Sequence, residues 1–161
     1  MSLWTDERRE KALACCNKWH GTPHHNRIAV CGVGVDCIKL VNEILIDSEI
    51  IPRTEFVGYS LDDGMSGQSE KLQRMILACL HADWIADQSD VPYIFGDVLI
   101  FTNGSRSAHC GFCTGGDVWH SLGNRSVTIS PMALWRHQLQ GAIRLTRTGF
   151  KRSPAAVISN E

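Results

Sequence analysis

Cys37 stands where a glycine-containing loop, residues 32–35, gives way to a helical pattern. The apolar residues after it recur at helical spacing and predict a helix that ends near Ser48; they are Leu40, Val41, Ile44 and Leu45. Asp36 suits the N-cap because its carboxylate can accept from the free N–H groups of the first turn. A thiol at this end feels the positive pole of the helix dipole, which favours the thiolate that attacks carbonyl carbons. The alternative is a small buried hydrophobic residue, and this stretch alone supports both interpretations equally.

A thiolate nucleophile needs a base and a group that orients the base. Two histidines meet this need, because His109 begins one predicted strand and His120 lies in the next. The glycines at 115–116 predict the reversal between these strands, which brings residues 109 and 120 close together across the hairpin. A cysteine on a helix, a histidine on a strand and a polar group on the next strand form a papain-like constellation. The alternative for His120 is a cross-strand residue on the surface.

Helical patterns fill the first half of the chain and strand patterns fill the second half. The predicted helices cover residues 5–19, 37–48 and 72–84. The predicted extended segments cover residues 56–59, 96–102, 108–114, 117–122, 127–129 and 142–145, with a short helix over 132–137. This order predicts an α+β fold in which the helices pack on one side of a meandering antiparallel sheet.

Length and composition limit the classes of protein to which the chain can belong. The 161 residues suit one domain, which we place at residues 1–146, followed by a flexible basic tail over residues 147–161. A net charge of −1 gives no argument for a nucleic-acid partner. No apolar run approaches the ~20 residues that span a bilayer, so we expect no membrane partner. The acidic start is not typical of a signal peptide, so we expect synthesis in the cytoplasm and delivery by another carrier.

The sequence holds seven cysteines, and without a signal peptide we expect most of them to be reduced core residues. Cys110 and Cys113 have a zinc-like C-x-x-C spacing, but residues 110 and 113 of a strand point to opposite faces. No second C-x-x-C completes a set of four ligands. A loop cluster of three histidines suits surface positions better than a metal site; it comprises His20, His24 and His25. We therefore predict no metal.

Several blocks of the chain together resemble the NlpC-type (NlpC/p60) cysteine peptidases, above all the short cell-wall peptidases of phage tails and gene transfer agents. The blocks are Thr-Pro at 22–23, Gly-Val-Gly-Val-Asp-Cys at 32–37, Gly-Asp-Val at 96–98, Ser-Ala-His-Cys-Gly at 107–111, Trp-His-Ser at 119–121, Leu-Trp-Arg at 134–136 and Gly-Ala-Ile-Arg at 141–144. The order and spacing of these blocks carry the resemblance, which covers residues 19–145.

This resemblance implies a minimal papain-like fold, with Cys37 as nucleophile, His109 as general base and His120 as the residue that orients the base. It implies hydrolysis of an amide bond in peptidoglycan stem peptides, typically between D-glutamate and diaminopimelate, without a metal or another cofactor. It also implies delivery to the cell wall as part of a virion or tail-like particle, with phage or gene-transfer-agent tail proteins as partners.

Two departures from the family's pattern bear on substrate and activity. The family commonly has tyrosine after Thr-Pro, where it is thought to help the oxyanion, and this chain has His24. A neutral imidazole N–H can donate in the same way. Ile38 and Lys39 stand where small residues are common, and Lys39 can either favour the thiolate or crowd the substrate. His24, Asp36 and Lys39 are therefore candidates for oxyanion or substrate contacts.

Two other functions stay open on the sequence. One is a papain-like thiol hydrolase or acyltransferase that acts on another amide, such as a toxin-type effector. The other is a structural tail module that keeps the fold without the chemistry, or one that zinc stabilises. A selectively reactive Cys37 favours the enzymes, and bound zinc favours the structural module.

Overall fold

This computed structural model describes residues 2–54, 68–87, 92–102 and 108–154. This part of the chain contains three α-helices and eight strands. The helices are α1 (Asp6–Trp19), α2 (Cys37–Asp47) and α3 (Gln68–Cys79). The strands are β1 (Ala29–Val30), β2 (Gly34–Val35), β3 (Leu80–Ala86), β4 (Val98–Thr102), β5 (Ala108–Cys113), β6 (Asp117–Ser121), β7 (Val127–Pro131) and β8 (Leu139–Phe150). None of the described helices is long and apolar enough to cross a membrane.

Six strands form one sheet in the order β3-β8-β4-β5-β6-β7, and every neighbouring pair is antiparallel. β4 to β7 follow one another as a meander, and β8 returns to lie between β3 and β4. β1 and β2 form a separate two-stranded hairpin directly before α2, which the sequence analysis did not predict. The predicted α+β class, with helices packed on an antiparallel sheet, is confirmed.

The two faces of the sheet carry different parts of the core. Ile100 and Cys110 face the three helices and belong to the larger buried cluster. Leu99, Phe101 and Cys113, which alternate with them along β4 and β5, belong to a second cluster on the opposite face. This alternation is the period-two pattern of a strand that is buried on both sides. Cys110 and Cys113 therefore point to opposite faces, as the sequence predicts.

The predicted starts of α1 and α2 are both confirmed by capping hydrogen bonds. The Thr5 hydroxyl accepts from the backbone N–H of Arg8 at 3.3 Å. The Asp36 carboxylate accepts from the backbone N–H of Lys39 at 2.8 Å, so that Cys37 is the first residue of α2. Such caps contribute about 0.5–2 kcal/mol each, since the first-turn N–H groups otherwise have no partner in the helix.

The helix predicted over residues 72–84 is wrong in its second half. α3 ends at Cys79, and β3 begins at Leu80 without an intervening loop. Trp84, which fits the helical stripe in the sequence, pairs instead with Ile143 of β8. The reason is long-range pairing, because Leu80 to Ala86 form the edge strand against β8 and strand pairing overrides a local apolar period.

Smaller differences concern the end of the chain. The single helix predicted over residues 132–137 is two short 3₁₀ turns, Met132–Leu134 and Arg136–Gln138. The strand predicted over 142–145 is the middle of β8, which continues to Phe150 because that residue pairs with Leu80. The tail that we predict from residue 147 therefore overlaps this strand. The extended segment predicted over 56–59 and residues 155–161 of the predicted tail lie outside the described residues.

Candidate active site

The start of α2 is fixed by one buried carboxylate. Asp36 is 3 % exposed, and its two oxygens accept from the backbone N–H groups of Lys39 at 2.8 Å and Arg27 at 3.0 Å. Burial raises the pKa of Asp36, while these two hydrogen bonds and the charge of Lys39 act in the opposite direction. Asp36 therefore joins the helix to the preceding loop and sets the direction in which Cys37 leaves the first turn.

His24 lies beside this loop and binds partners other than Cys37. Its Nδ1 lies 2.9 Å from the hydroxyl of Ser121, and its Nε2 lies 3.2 Å from Oδ1 of Asn26. The Ser121 hydroxyl donates to the backbone carbonyl of Val35 at 2.7 Å, so Nδ1 of His24 is the donor to Ser121. His24 and Ser121 thus attach the residues before α2 to the end of β6. As an oxyanion donor, His24 would have to release one of these partners.

The two predicted histidines lie on β5 and β6, beyond the residues at which these strands pair. The pairs are Phe112 with Trp119 and Cys113 with Val118, next to the connecting turn. Beyond them, Nε2 of His109 lies 2.9 Å from Nδ1 of His120. His109 and His120 are buried, at 9 % and 0 % exposure. The structure therefore brings these two residues into direct hydrogen-bond contact.

The Cys37 sulfur lies against β5, where it interacts with two neighbouring residues of that strand. The two residues are Cys110 and His109. These neighbours hold the pKa of the Cys37 thiol well below its usual range, and Cys110 is the largest cause. Burial acts in the opposite direction and raises this pKa. His109 lowers it further through a hydrogen bond and its charge. Since burial alone raises the pKa of Cys16 on α1 to about 12, the surroundings of Cys37 reverse the ordinary effect of burial.

His120 continues the hydrogen-bonded chain to β7. Its Nε2 lies 2.9 Å from the hydroxyl of Ser130, and burial, followed by the charge of His109, lowers its pKa to about 3. His120 is therefore neutral at ordinary pH and carries one N–H. If Nε2–H donates to Ser130, then Nδ1 accepts from Nε2–H of His109, which leaves Nδ1 of His109 for the sulfur of Cys37. The side chains thus form a row, Cys37–His109–His120–Ser130.

Aromatic rings hold the two imidazoles in place. The ring centre of Trp135 lies 4.7 Å from that of His120 and 5.8 Å from that of His109. Phe101 lies on β4, the strand on the other side of β5, and its ring centre is 5.5 Å from that of His109. Because rings in contact on two sides cannot rotate freely, the imidazoles are pre-oriented for their hydrogen bonds.

Ser130 and Trp135 are members of this site that were not predicted from the sequence. Thr128 is the Cα partner of His120 on β7, and Ser130 lies two residues further along the same face. This position depends on the register of β6 against β7, which the sequence pattern does not fix. Trp135 belongs to a block of the family resemblance, which is the one signal in the sequence that singles it out.

The described residues contain no group of three or more histidine, cysteine, aspartate or glutamate side chains that could hold a metal ion. The His20 ring packs against Trp119, with ring centres 5.5 Å apart, while His24 bonds to Ser121 and Asn26. The loop histidines therefore do not converge on one point. Cys110 and Cys113 lie in different clusters on opposite faces of the sheet.

The fold resembles that of a solved protein described as similar to a lipoprotein of the NLP/P60 family, from Staphylococcus aureus subsp. aureus Mu50. The two share 16 % sequence identity at a TM-score of 0.58, and the match covers 91 % of this chain and 44 % of that one. This chain thus corresponds to less than half of that protein, and the likeness is one of fold. No known family description and no curated protein matches the sequence.

The depressed pKa of His120 predicts a specific dependence of stability on pH. In the unfolded chain this histidine takes up a proton below its ordinary pKa of about 6.5. In the folded protein His120 stays neutral until the pH falls to about 3. The free energy of unfolding therefore falls as the pH drops through this window, by up to about 2 kcal/mol between pH 7 and pH 5 from this group. Urea unfolding of wild type and His120→Gln at both pH values measures the difference.

His137→Gln, at an exposed histidine, serves as the matched control and keeps the wild-type pH dependence. If wild type and His120→Gln lose the same stability between pH 7 and pH 5, His120 is not buried as a neutral group.

Proposed function

We propose that this protein is a cysteine peptidase that hydrolyses an amide bond in the stem peptides of peptidoglycan. The observation that carries the proposal is the contact of a helix-terminal thiol, Cys37, with His109, which in turn bonds to His120. The NLP/P60 fold of the neighbour and the sequence resemblance both support a thiol-dependent cell-wall enzyme. Both support a thiol-dependent reaction, and the stem peptide as its substrate is our own proposal.

In the first half of the reaction, the Cys37 thiolate attacks the carbonyl carbon of the scissile amide. The positive end of α2 stabilises the thiolate before attack. His109 in its protonated form then gives its proton to the leaving amine, so that the C–N bond breaks and a thioester remains.

In the second half, His109 acts as a base. It takes a proton from water, the hydroxide attacks the thioester carbonyl, and Cys37 leaves as a thiolate. His120 stays neutral through both halves and keeps Nε2 of His109 oriented, since its Nδ1 accepts from that nitrogen. Ser130 fixes the tautomer of His120 from the other side. His120 is therefore a positioning residue in this mechanism.

Delivery to the cell wall in a phage or tail-like particle stays a prediction from the sequence resemblance. The structure describes a compact α+β unit around the site, and a unit of this kind fits a small particle-borne enzyme as well as a domain of a larger protein. The proposal for the reaction does not depend on the route of delivery.

Replacement of the nucleophile is the first test. We expect Cys37→Ala to lower peptidoglycan hydrolysis by at least about 10³-fold, since it removes the thiolate that His109 and the start of α2 stabilise. Mass spectrometry of the fragments released from purified peptidoglycan measures the activity and identifies the bond. Cys16→Ala removes an equally buried thiol from α1 and is the matched control, which keeps wild-type activity.

Hydrolysis by Cys37→Ala at the wild-type rate would contradict the assignment. Wild-type protein that leaves peptidoglycan intact but becomes acylated at Cys37 by an activated ester would assign the site to a different amide substrate.

The two histidines should differ in their effects, because they act in series. We expect His109→Ala to lose about 10²–10⁴-fold in kcat, since it removes both the base and the acid. His120→Gln should keep part of the activity, because an amide oxygen can accept from Nε2–H of His109, and His120→Ala should keep less than His120→Gln. Steady-state rates on one isolated muropeptide give this ranking.

The reverse ranking, with His109→Ala active and His120→Ala inactive, would exchange the two roles. Wild-type rates in both alanine variants would mean that the resemblance is one of fold without the chemistry.

A further inference from the structure

Cys110 is a buried thiol next to the candidate nucleophile, and the proposed mechanism gives it no role. It follows His109 on β5, and its side chain points to the helix-covered face of the sheet, into the core cluster that contains Cys37. Cys37 and Cys110 are 1 % and 0 % exposed, and each is the neighbour that acts most strongly on the pKa of the other's thiol. The packing of α2 on β5 therefore brings together two sulfur atoms that lie 73 positions apart in the chain.

The two thiols are unequal, which is what a stepwise oxidation needs. Cys37 lies at the positive end of α2 beside His109, so the negative charge resides on its sulfur. The pKa of Cys110 lies well above its usual range, first because its thiol donates to the Cys37 sulfur and second because of burial. Cys37 is thus the attacking thiolate, and Cys110 is the protonated thiol beside it.

We propose that Cys37 and Cys110 form a reversible disulfide when a hydroperoxide oxidises the site. The pairing rests on the packing of α2 against β5, which buries both thiols in one core cluster. Within that cluster each of the two thiols acts on the other. Cys113, three residues further along β5, cannot take this part because it faces the opposite side of the sheet. The sulfurs must approach to about 2.05 Å, the length of the disulfide bond.

The chemistry balances with hydrogen peroxide as the oxidant. The Cys37 thiolate attacks one peroxide oxygen, the S–O bond forms, the O–O bond breaks, and the hydroxide that leaves takes up a proton as water. The Cys110 sulfur then attacks the sulfenic sulfur of Cys37, the S–S bond forms, and the departing hydroxide takes the Cys110 proton. The pair loses two electrons, the peroxide gains two, and a dithiol reverses the reaction.

The disulfide would remove the nucleophile from the active site. Loss of peptidoglycan hydrolysis on oxidation rests on the proposed function, whereas the covalent step itself does not. A disulfide would also protect Cys37 from further oxidation to the sulfinic acid, which dithiols do not reverse. The chain would thus tolerate an oxidising environment and regain its thiolate on reduction.

The experiment treats the reduced full chain with a small excess of hydrogen peroxide, a probe that suits a sulfur with 1 % exposure. The protein is then denatured in maleimide, and labels are counted by intact mass before and after a second sample receives dithiothreitol. We expect two of the seven thiols to escape labelling and to return on reduction. Peptide mapping should find one crosslink, between the peptides that contain Cys37 and Cys110.

Two variants separate this pair from other thiols. Cys113→Ser, the control on the same strand, should give the same crosslink as wild type. Cys110→Ser should give no crosslink, and a second peroxide should oxidise its Cys37 sulfenic acid to the sulfinic acid, which dithiothreitol does not reduce. Mapping of the wild type alone decides the pairing if either variant fails to fold.

A wild-type protein whose Cys37 oxidises while Cys110 still takes a label would overturn the inference, as would a crosslink between any other two cysteines. A chain that forms the Cys37–Cys110 crosslink but does not cleave peptidoglycan when reduced would support the dithiol and reject the proposed function. A chain that cleaves peptidoglycan but forms no crosslink would support the proposed function and reject the disulfide.

Discussion

The capped first turn of α2 is the constraint on which the candidate site depends. One buried carboxylate, Asp36, holds the N–H groups of Lys39 at 2.8 Å and Arg27 at 3.0 Å, and so fixes the helix to its entering loop. The same loop is tied to β6 through the carbonyl of Val35, which accepts from Ser121 at 2.7 Å. Because both ends of this short connection are held, Cys37 is fixed beside His109 and Cys110 of β5.

The parts of this arrangement that the sequence predicts are those set by local chemistry. Asp36 and Cys37 are recognisable because a capping carboxylate and the following apolar period occur within a few residues. The hairpin around Gly115 is recognisable for a similar reason. Ser130 is not recognisable from the sequence, since its place depends on the register between β6 and β7. Trp84 is wrongly predicted as helical because pairing with β8 overrides its helical spacing. Contacts between distant strands are thus the part that local patterns leave out.

Burial disfavours charge on both His120 and Cys37, and the outcome differs between the two. It suppresses the charge of His120, whose pKa falls to about 3, and so keeps a neutral acceptor behind His109. It also opposes the charge of Cys37, where hydrogen bonds from Cys110 and His109 outweigh it. In a dry site such contacts are stronger than in water, and an unpaired charge is more costly. The same neighbour that stabilises the thiolate, Cys110, also makes the site a dithiol, so reactivity and sensitivity to oxidation have one structural origin.

The central claim is that the surroundings of Cys37 favour its thiolate, and titration of that thiolate tests it most directly. The ultraviolet absorbance of thiolates, recorded against pH for wild type minus Cys37→Ala, isolates the titration of this one sulfur and needs no substrate. We expect a single step well below the ordinary cysteine pKa, because Cys110 and His109 favour the thiolate. A step at or above about pH 8.5, as for a free or merely buried thiol, would contradict the account.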